Sequence, residues 1–356
     1  MFNCASNTEI FSLECVCQEI SLSPNGIYLS VLQRLDKKTL KTVLFDLRSA
    51  LDIAEYVFSS PNHRELAWDE TCSRMYRMVP GHVCLYVESD FSKPFLKYQV
   101  DNLDSFSAFP GMPTRVATFS PETTNPACVT IFGDDASQIL AKKLFHRADK
   151  VKFSWSVNAD LLALCRTDVD KTGKSYYGSS TLFFISKSGD KKYRVQLSKK
   201  GPIHDCQWNP ALPEFVVVYG DMPARATIFN DECQNIFDFE DFGRNMVRFN
   251  PQGNLIALGG FGNLSGNVEI WDRKALSKVS NFKAAGSSVF EWAPSGNYIL
   301  TAIVSPRLRV DNGIKIWNYG GHLLHSKGYP ILYQVLLIYC RLCGKVKSWH
   351  LVLLQT

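Results

Sequence analysis

The sequence predicts an all-β chain, a WD-type β-propeller of about seven recognisable blades plus a degraded eighth. Three observations predict it. A short cassette recurs, a large apolar residue followed by a polar pair or an Asn/Ser-Pro turn and then an apolar strand. Two-residue alternation is bounded by Gly/Pro/Asn turn chemistry, as half-buried strands require. Long helical periodicity is nearly absent, with Ser49 to Phe58 as the one weak helical candidate.

The cassettes read Leu22-Ser-Pro24-Asn-Gly26, Trp68-Asp-Glu70, Phe119-Ser-Pro121, Trp155-Ser-Val157, Trp208-Asn-Pro210, Phe249-Asn-Pro251-Gln-Gly253 and Trp292-Ala-Pro294-Ser-Gly296. Their successive spacings are 46, 51, 36, 53, 41 and 43 residues. A period of about 40–50 residues built from strands is that of propeller blades. Each cassette is expected to open a blade, with three strands after it. The clearest blade has a half-buried strand Met246-Val-Arg-Phe249, a turn Asn250 to Gly253 and an inner strand Leu255 to Leu258. A Gly-rich loop from Gly259 to Gly266 then leads into Asn267-Val-Glu-Ile-Trp-Asp272. The next repeats it with Phe290-Glu-Trp292, Pro294-Ser-Gly296, Tyr298 to Ala302 and Gly313-Ile-Lys-Ile-Trp317. Thr42 to Asp46, Val129 to Phe132, Thr181 to Ile185 and Arg225 to Phe229 read as third strands of other blades. After Gly321 the chain turns Leu-rich and loses the Pro-Gly turn. Residues 1–325 are therefore assigned to the propeller and 326–356 to a divergent C-terminal tail.

The 356 residues are 46% hydrophobic and carry a net charge of +5, mildly basic, which permits an RNA partner without demanding one. The eleven cysteines are scattered through strand-like segments, as at Cys84, Cys128, Cys165 and Cys206. They read as small buried hydrophobes in a reducing cytosol rather than a disulfide framework. No secretory signal is legible, and the most apolar stretch, residues 330–340, is too short to span a bilayer as a helix. The sequon at Asn263 is expected to be unglycosylated there. A cytoplasmic protein without a membrane partner is expected.

The motifs that resemble chemistry fail on spacing. Asp168-Val-Asp170-Lys-Thr-Gly173 imitates the start of a calcium loop, but Ser179 stands where a bidentate Glu is needed. Gly173-Lys174-Ser175 lacks the earlier glycine of a phosphate loop, and Gly260 to Gly266 has one residue too many for a dinucleotide fingerprint. Cys340-Arg-Leu-Cys343 is a lone CxxC, near His322, His325 and His350 but without zinc spacing. His63, His82, His146 and His204 are isolated. No metal, cofactor or enzyme activity is expected. Two basic groups remain: Lys142, Lys143, His146, Arg147, Lys150 and Lys152, then Lys187, Lys191, Lys192, Arg194, Lys199 and Lys200. They read either as phosphate contacts or as solvated strand edges.

Five stretches exceed what a generic propeller requires. They are Thr167 to Gly178, Gly201-Pro-Ile-His-Asp-Cys-Gln-Trp-Asn209, Val218 to Asn230, Leu258-Gly-Gly-Phe-Gly-Asn-Leu264 and Pro306 to Trp317. Together they resemble the eukaryotic translation initiation factor 2A family, most legibly from about Lys150 to His325. The resemblance implies a nine-bladed propeller with a C-terminal extension, so the chain is expected to lack the family's first blade, its final blade and that extension. It also implies binding to the small ribosomal subunit and delivery of initiator methionyl-tRNA on selected mRNAs, with other initiation factors as partners. Lys171, Lys174, Tyr176, Tyr177, Arg307 and Arg309 are the candidate ribosome or RNA contacts, although Arg307 and Arg309 could equally brace a blade. The alternative is a protein–protein scaffold, like the propeller subunit of initiation factor 3, without direct RNA contact.

Overall fold

The structure, a computed structural model, describes residues 2–3, 8–9, 17–146, 148–167, 179–305, 307–340 and 348–354. Among them are eight four-stranded antiparallel sheets and one 3-10 turn, Pro61–Arg64, with no α-helix. Seven sheets are made of consecutive strands and follow one another as blades 1 to 7: residues 19–58, 66–99, 105–145, 148–194, 203–242, 246–283 and 289–328. The eighth joins both ends of the chain. Gln334–Cys340 pairs with Ser348–Leu354, and Leu351 and His350 lie opposite Phe2 and Asn3. Pairing first and last segments removes the open edges a ring of sheets would otherwise leave.

Within each blade the first strand lies innermost, where the first strands of neighbouring blades approach one another. The second and third strands are buried on both faces, as in Glu214–Tyr219 and Leu255–Gly259. The fourth forms the rim and is largely exposed. Leu255–Gly259 is therefore a second strand, and the innermost strand of blade 6 is Met246–Phe249.

The cassette has two physical jobs. Its polar residue caps the turn from first to second strand. Ser23 Oγ accepts from Tyr28 N (2.9 Å), Asp69 Oδ1 from Arg74 N (3.1 Å), Ser156 Oγ from Asp160 N, Asn209 Oδ1 from Ala211 N and Asn250 Oδ1 from Leu255 N (each 2.9 Å). All five side chains are buried, so each satisfies backbone donors that water cannot reach. Its aromatic residue stitches blades together. The indole N–H groups of Trp155, Trp208 and Trp292 donate to Ser107 Oγ, Ser154 O and Arg248 O of the preceding blade's first strand, at 3.1, 3.0 and 3.2 Å. Trp68 instead stacks on Tyr28 of blade 1 at 5.2 Å. A second stitch lies nearer the rim. Phe183, Trp271 and Trp317 of third strands pack on Phe145, Phe239 and Phe282 of the preceding rim strands, with centroids 5.0, 5.1 and 4.6 Å apart.

The structure corrects two expectations here. Phe119 does not open a blade, because it lies in Val116–Ser120, the second strand of blade 3. The first strand is Ser105–Ala108, and Phe109-Pro110-Gly111 occupies the cassette position. Taking Phe109 as the marker changes the spacings of 51 and 36 to 41 and 46 (109 − 68 and 155 − 109). Ser49 to Phe58 is not helical. Leu51–Phe58 is the rim strand of blade 1, with Ala54, Tyr56 and Phe58 buried at every second position. Its apolar residues fit either period, and pairing with Leu40–Asp46 selects the strand.

Candidate functional site

Four antiparallel strands per blade place the connections on two faces. Face A carries the first-to-second and third-to-fourth turns. Face B carries the second-to-third loops and the blade-to-blade connections.

On face A, the cassette turns of blades 5, 6 and 7 interlock. Asn209 Nδ2 donates to Glu214 Oε1 (2.8 Å) and to Gly253 O (3.0 Å), and Arg273 holds Glu214 through both carboxylate oxygens. Gln252 Nε2 donates to Pro294 O at 3.2 Å. This face is built from the repeat itself.

Face B is built from residues outside the repeat. The 199–202 connection and the 220–223 loop are joined by Gly220 N to Pro202 O (2.9 Å) and Asp221 N to Lys200 O (3.0 Å), and His204 Nε2 donates to Gly220 O (2.8 Å). Lys199 Nζ donates to Pro223 O and to Asp241 Oδ2 (2.8 Å), while Arg225 Nε takes Asp241 Oδ1 (2.9 Å). Hydrogen bonds from Arg225 and then Lys199 hold the Asp241 carboxyl below its ordinary range. One blade on, Asn245 pins the Gly-rich loop by accepting from Phe261 N (3.0 Å) and donating to Phe261 O (2.9 Å). Gly260 lies so close to Gly243 O that a Cβ would sit 2.1 Å from it. Gly262, at φ +81°, lies beneath Arg307, whose Nη2 would be 2.5 Å from a Cβ there. These glycines allow close packing between loops. In the blade 7 loop, Asn312 Nδ2 donates to Leu308 O (2.7 Å) and Asn312 Oδ1 accepts from Leu332 N (3.0 Å).

Arg307 and Arg309 therefore stand in the second-to-third loop of blade 7, both exposed and without an ion pair among the described residues. Leu308 and Val310 alternate with them, 37% and 67% exposed, and Met222 and Phe242 add exposed apolar surface on blade 5. Lys171, Lys174, Tyr176 and Tyr177 lie outside the described residues, as does the calcium-like run from Asp168. The strands flanking them, Leu161–Thr167 and Ser179–Ile185, end and begin at face B. The CxxC also falls outside, since Cys343 is not described.

The two basic groups are split by the fold, part of each meeting at the seam between blades 3 and 4 and the rest lying elsewhere. Lys142 and Lys143 are on the rim of blade 3. Lys150 and Lys152 are on the innermost strand of blade 4, where Lys152 Nζ lies 3.4 Å from Asp205 Oδ1. Arg248 Nη1 joins the same buried carboxylate at 2.5 Å. In the second group, Lys187 and Lys191 flank a face A turn, Lys192 and Arg194 lie on the rim, and Lys199 is spent on Asp241. Sequence reasoning missed Asp241, Asn245 and Asn312, because each acts on a partner 16 to 42 residues away in sequence.

Among the described residues no group of three or more His, Cys, Asp or Glu side chains could hold a metal ion, and no helix is long and apolar enough to cross a membrane. A 320 Å³ pocket between blades 1 and 2 holds the Arg64–Glu19 ion pair (3.2 Å) and is lined by no histidine or cysteine. Buried Cys165 and Cys206 have their thiols pushed up to about 12 by desolvation, and are inert as nucleophiles at neutral pH.

A sequence model of the family described as eukaryotic translation initiation factor eIF2A matches residues 142–335. The chain is 35% identical over 328 residues to eukaryotic translation initiation factor 2A of Drosophila melanogaster, covering 87% of the chain and 51% of that protein. It is 36% identical over 326 residues to the Schizosaccharomyces pombe factor of the same name, covering 89% and 57%. The match thus reaches well beyond residues 150–325, and the chain spans about half the length of these curated relatives. The crystal structure of a eukaryotic initiation factor superposes with a TM-score of 0.76 at 31% identity, over 89% of this chain and 79% of that one.

Proposed function

The chain belongs to the eukaryotic translation initiation factor eIF2A family, and from that premise we propose that it docks on the small ribosomal subunit through face B and promotes initiator methionyl-tRNA binding on selected mRNAs. It acts in the cytoplasm, beside other initiation factors, as a binding platform.

One observation carries the choice of face. Four of the family-like stretches that the repeat does not require bring described loops to face B, whereas on face A the cassette turns of blades 5, 6 and 7 bond to one another. A fold keeps non-repeating loops on one face where function needs them. Arg307 and Arg309, exposed, unpaired and interleaved with Leu308 and Val310, supply charge for phosphate and apolar surface for packing. Arg307 also lies over Gly262 of the blade 6 loop, with its side chain exposed.

The test is Arg307→Glu combined with Arg309→Glu. Co-sedimentation with small subunits is expected to fall severalfold at low salt, with the melting temperature nearly unchanged. Equal co-sedimentation removes these arginines from the contact. RNA contact also weakens steeply with salt, whereas a scaffold groove held by apolar packing does not, so the salt dependence of co-sedimentation separates this reading from the scaffold.

A further inference from the structure

We propose that the furrow between the rims of blades 3 and 4 binds the phosphate backbone of RNA, as a second contact beside face B. The proposal deepens the initiation reading and rests on it for the source of the RNA.

The furrow is defined by three observations. Lys143 on the blade 3 rim strand, Ile139–Phe145, lies over two rings, Phe145 of its own blade at 6.0 Å and Phe183 of blade 4 at 5.1 Å. Phe183 is the cross-strand partner of Arg194 on the blade 4 rim strand, Lys192–Arg194. Directly opposed residues share a sheet face, and so does the residue two positions along. Arg194 and Lys192 therefore project toward blade 3, as Lys143 projects toward blade 4. The turn preceding them closes one end of the seam. Gly189 (φ +76°) packs on blade 3 so tightly that a Cβ would come 2.5 Å from Leu140 O, which places Lys187 and Lys191 on either side.

Lys187 lies beside Asp160, to which its backbone N–H donates at 2.8 Å, and the other four cations have no acidic counterpart among the described residues. Neither rim strand contains Asp or Glu. None of the five forms an ion pair among the described residues. Asp190 is committed to its own turn, accepting from Ser186 Oγ (2.5 Å), Ser188 Oγ and Lys191 N (2.7 Å). The rim of blade 5, by contrast, carries Asp238, Glu240 and Asp241. The rims of blades 3 and 4 are thus basic where that of blade 5 is acidic. Uncompensated like charges repel, and a polyanion relieves that repulsion while releasing its own counterions. The floor is also closed, since Phe145 is buried and Lys143 covers Phe183. Recognition there is by charge, which suits a backbone that repeats its phosphate regularly and carries no side chains to seat.

The test measures fluorescence anisotropy of a mixed-sequence RNA hairpin with the full chain across a salt series. Lys191→Glu, Lys192→Glu and Arg194→Glu together are expected to weaken binding roughly tenfold or more at low salt and to make the log–log salt slope shallower by about 2 to 3. The three alanine substitutions should act in the same direction by less, with the thermal midpoint retained. Lys97→Glu, Lys274→Glu and Lys283→Glu, exposed on blades 2 and 6, reverse the same number of charges away from the furrow and control for net charge. Hairpin binding unchanged in the rim variant overturns the proposal, and so does an equal loss in this control. Competition by poly-glutamate as effective as that by RNA replaces the RNA backbone with an acidic protein. If the rim variant binds the hairpin normally while the Arg307/Arg309 variant loses small subunits, the furrow fails and the initiation reading stands. If the wild-type chain does not co-sediment with small subunits but hairpin binding depends on the rim, the initiation reading fails and the furrow stands.

Discussion

Asp241 shows how one residue can organise a loop cluster. It accepts from Lys199 and Arg225, which belong to different connections of face B, and so ties the 199–202 segment to the blade 5 rim. Its folded pKa lies below the ordinary 3.8. A depressed carboxyl contributes stability that is present above its unfolded value and lost as pH falls through the folded one. Asp241→Asn is therefore expected to cost about 1 kcal/mol at pH 7, discounted for partly exposed partners. The gap between variant and wild type should begin to narrow as pH falls below about 4 and go on narrowing through the lower folded value. Thermal midpoints of both proteins from pH 7 down to about pH 2 check it, and a gap that does not narrow over that range refutes the account. Nothing near Asp241 in sequence announces this role. Lys199 reads as one more member of a basic run until the fold supplies its partner from 42 residues away.

The cassette turn is legible in the sequence, because Asn-Pro-x-Gly encodes its own geometry. Its second function is not. Gly253 has φ +72°, as the turn demands, but a Cβ there would also stand 2.1 Å from Asn209 Oδ1 of the preceding blade. Backbone strain and a clash with a buried, fully hydrogen-bonded amide then add. Gly253→Ala is expected to lose about 2 kcal/mol or more in denaturant unfolding, combining a left-handed non-glycine with a disturbed buried amide. Gly81 (φ +74°), which has open space around it, isolates the strain and should lose about 1 kcal/mol when replaced by Ala. Equal losses at the two sites would mean that the interlock contributes nothing. The same logic explains the misplaced Phe119. Aromatic-Ser-Pro satisfies the local pattern at a second-to-third loop as well as at a first-to-second turn, and only the indole bond from Trp155 to Ser107 marks where the true first strand lies.

At the scale of the ring, the eighth sheet is the place where chain ends that are distant in sequence become neighbours. Phe2–Asn3 has Ser348–Leu354 as its partner strand. Truncation before residue 341 removes that partner and opens an edge next to blades 1 and 7. Calorimetry is expected to show a lower and broader transition, and light scattering to show association through the freed edge. A single sharp transition at the wild-type temperature would show that the seven consecutive blades close without it. By itself, the sequence determined the repeat, the strand content, the blade count and the family, because periodic burial and turn chemistry are local and are written within a few residues of where they act. Tertiary structure alone decided which lysines are neutralised and which remain free, which strand is innermost, and which loops share a face. Those properties depend on blades laid side by side, and electrostatic pairing acts through space between residues that the chain keeps tens of positions apart.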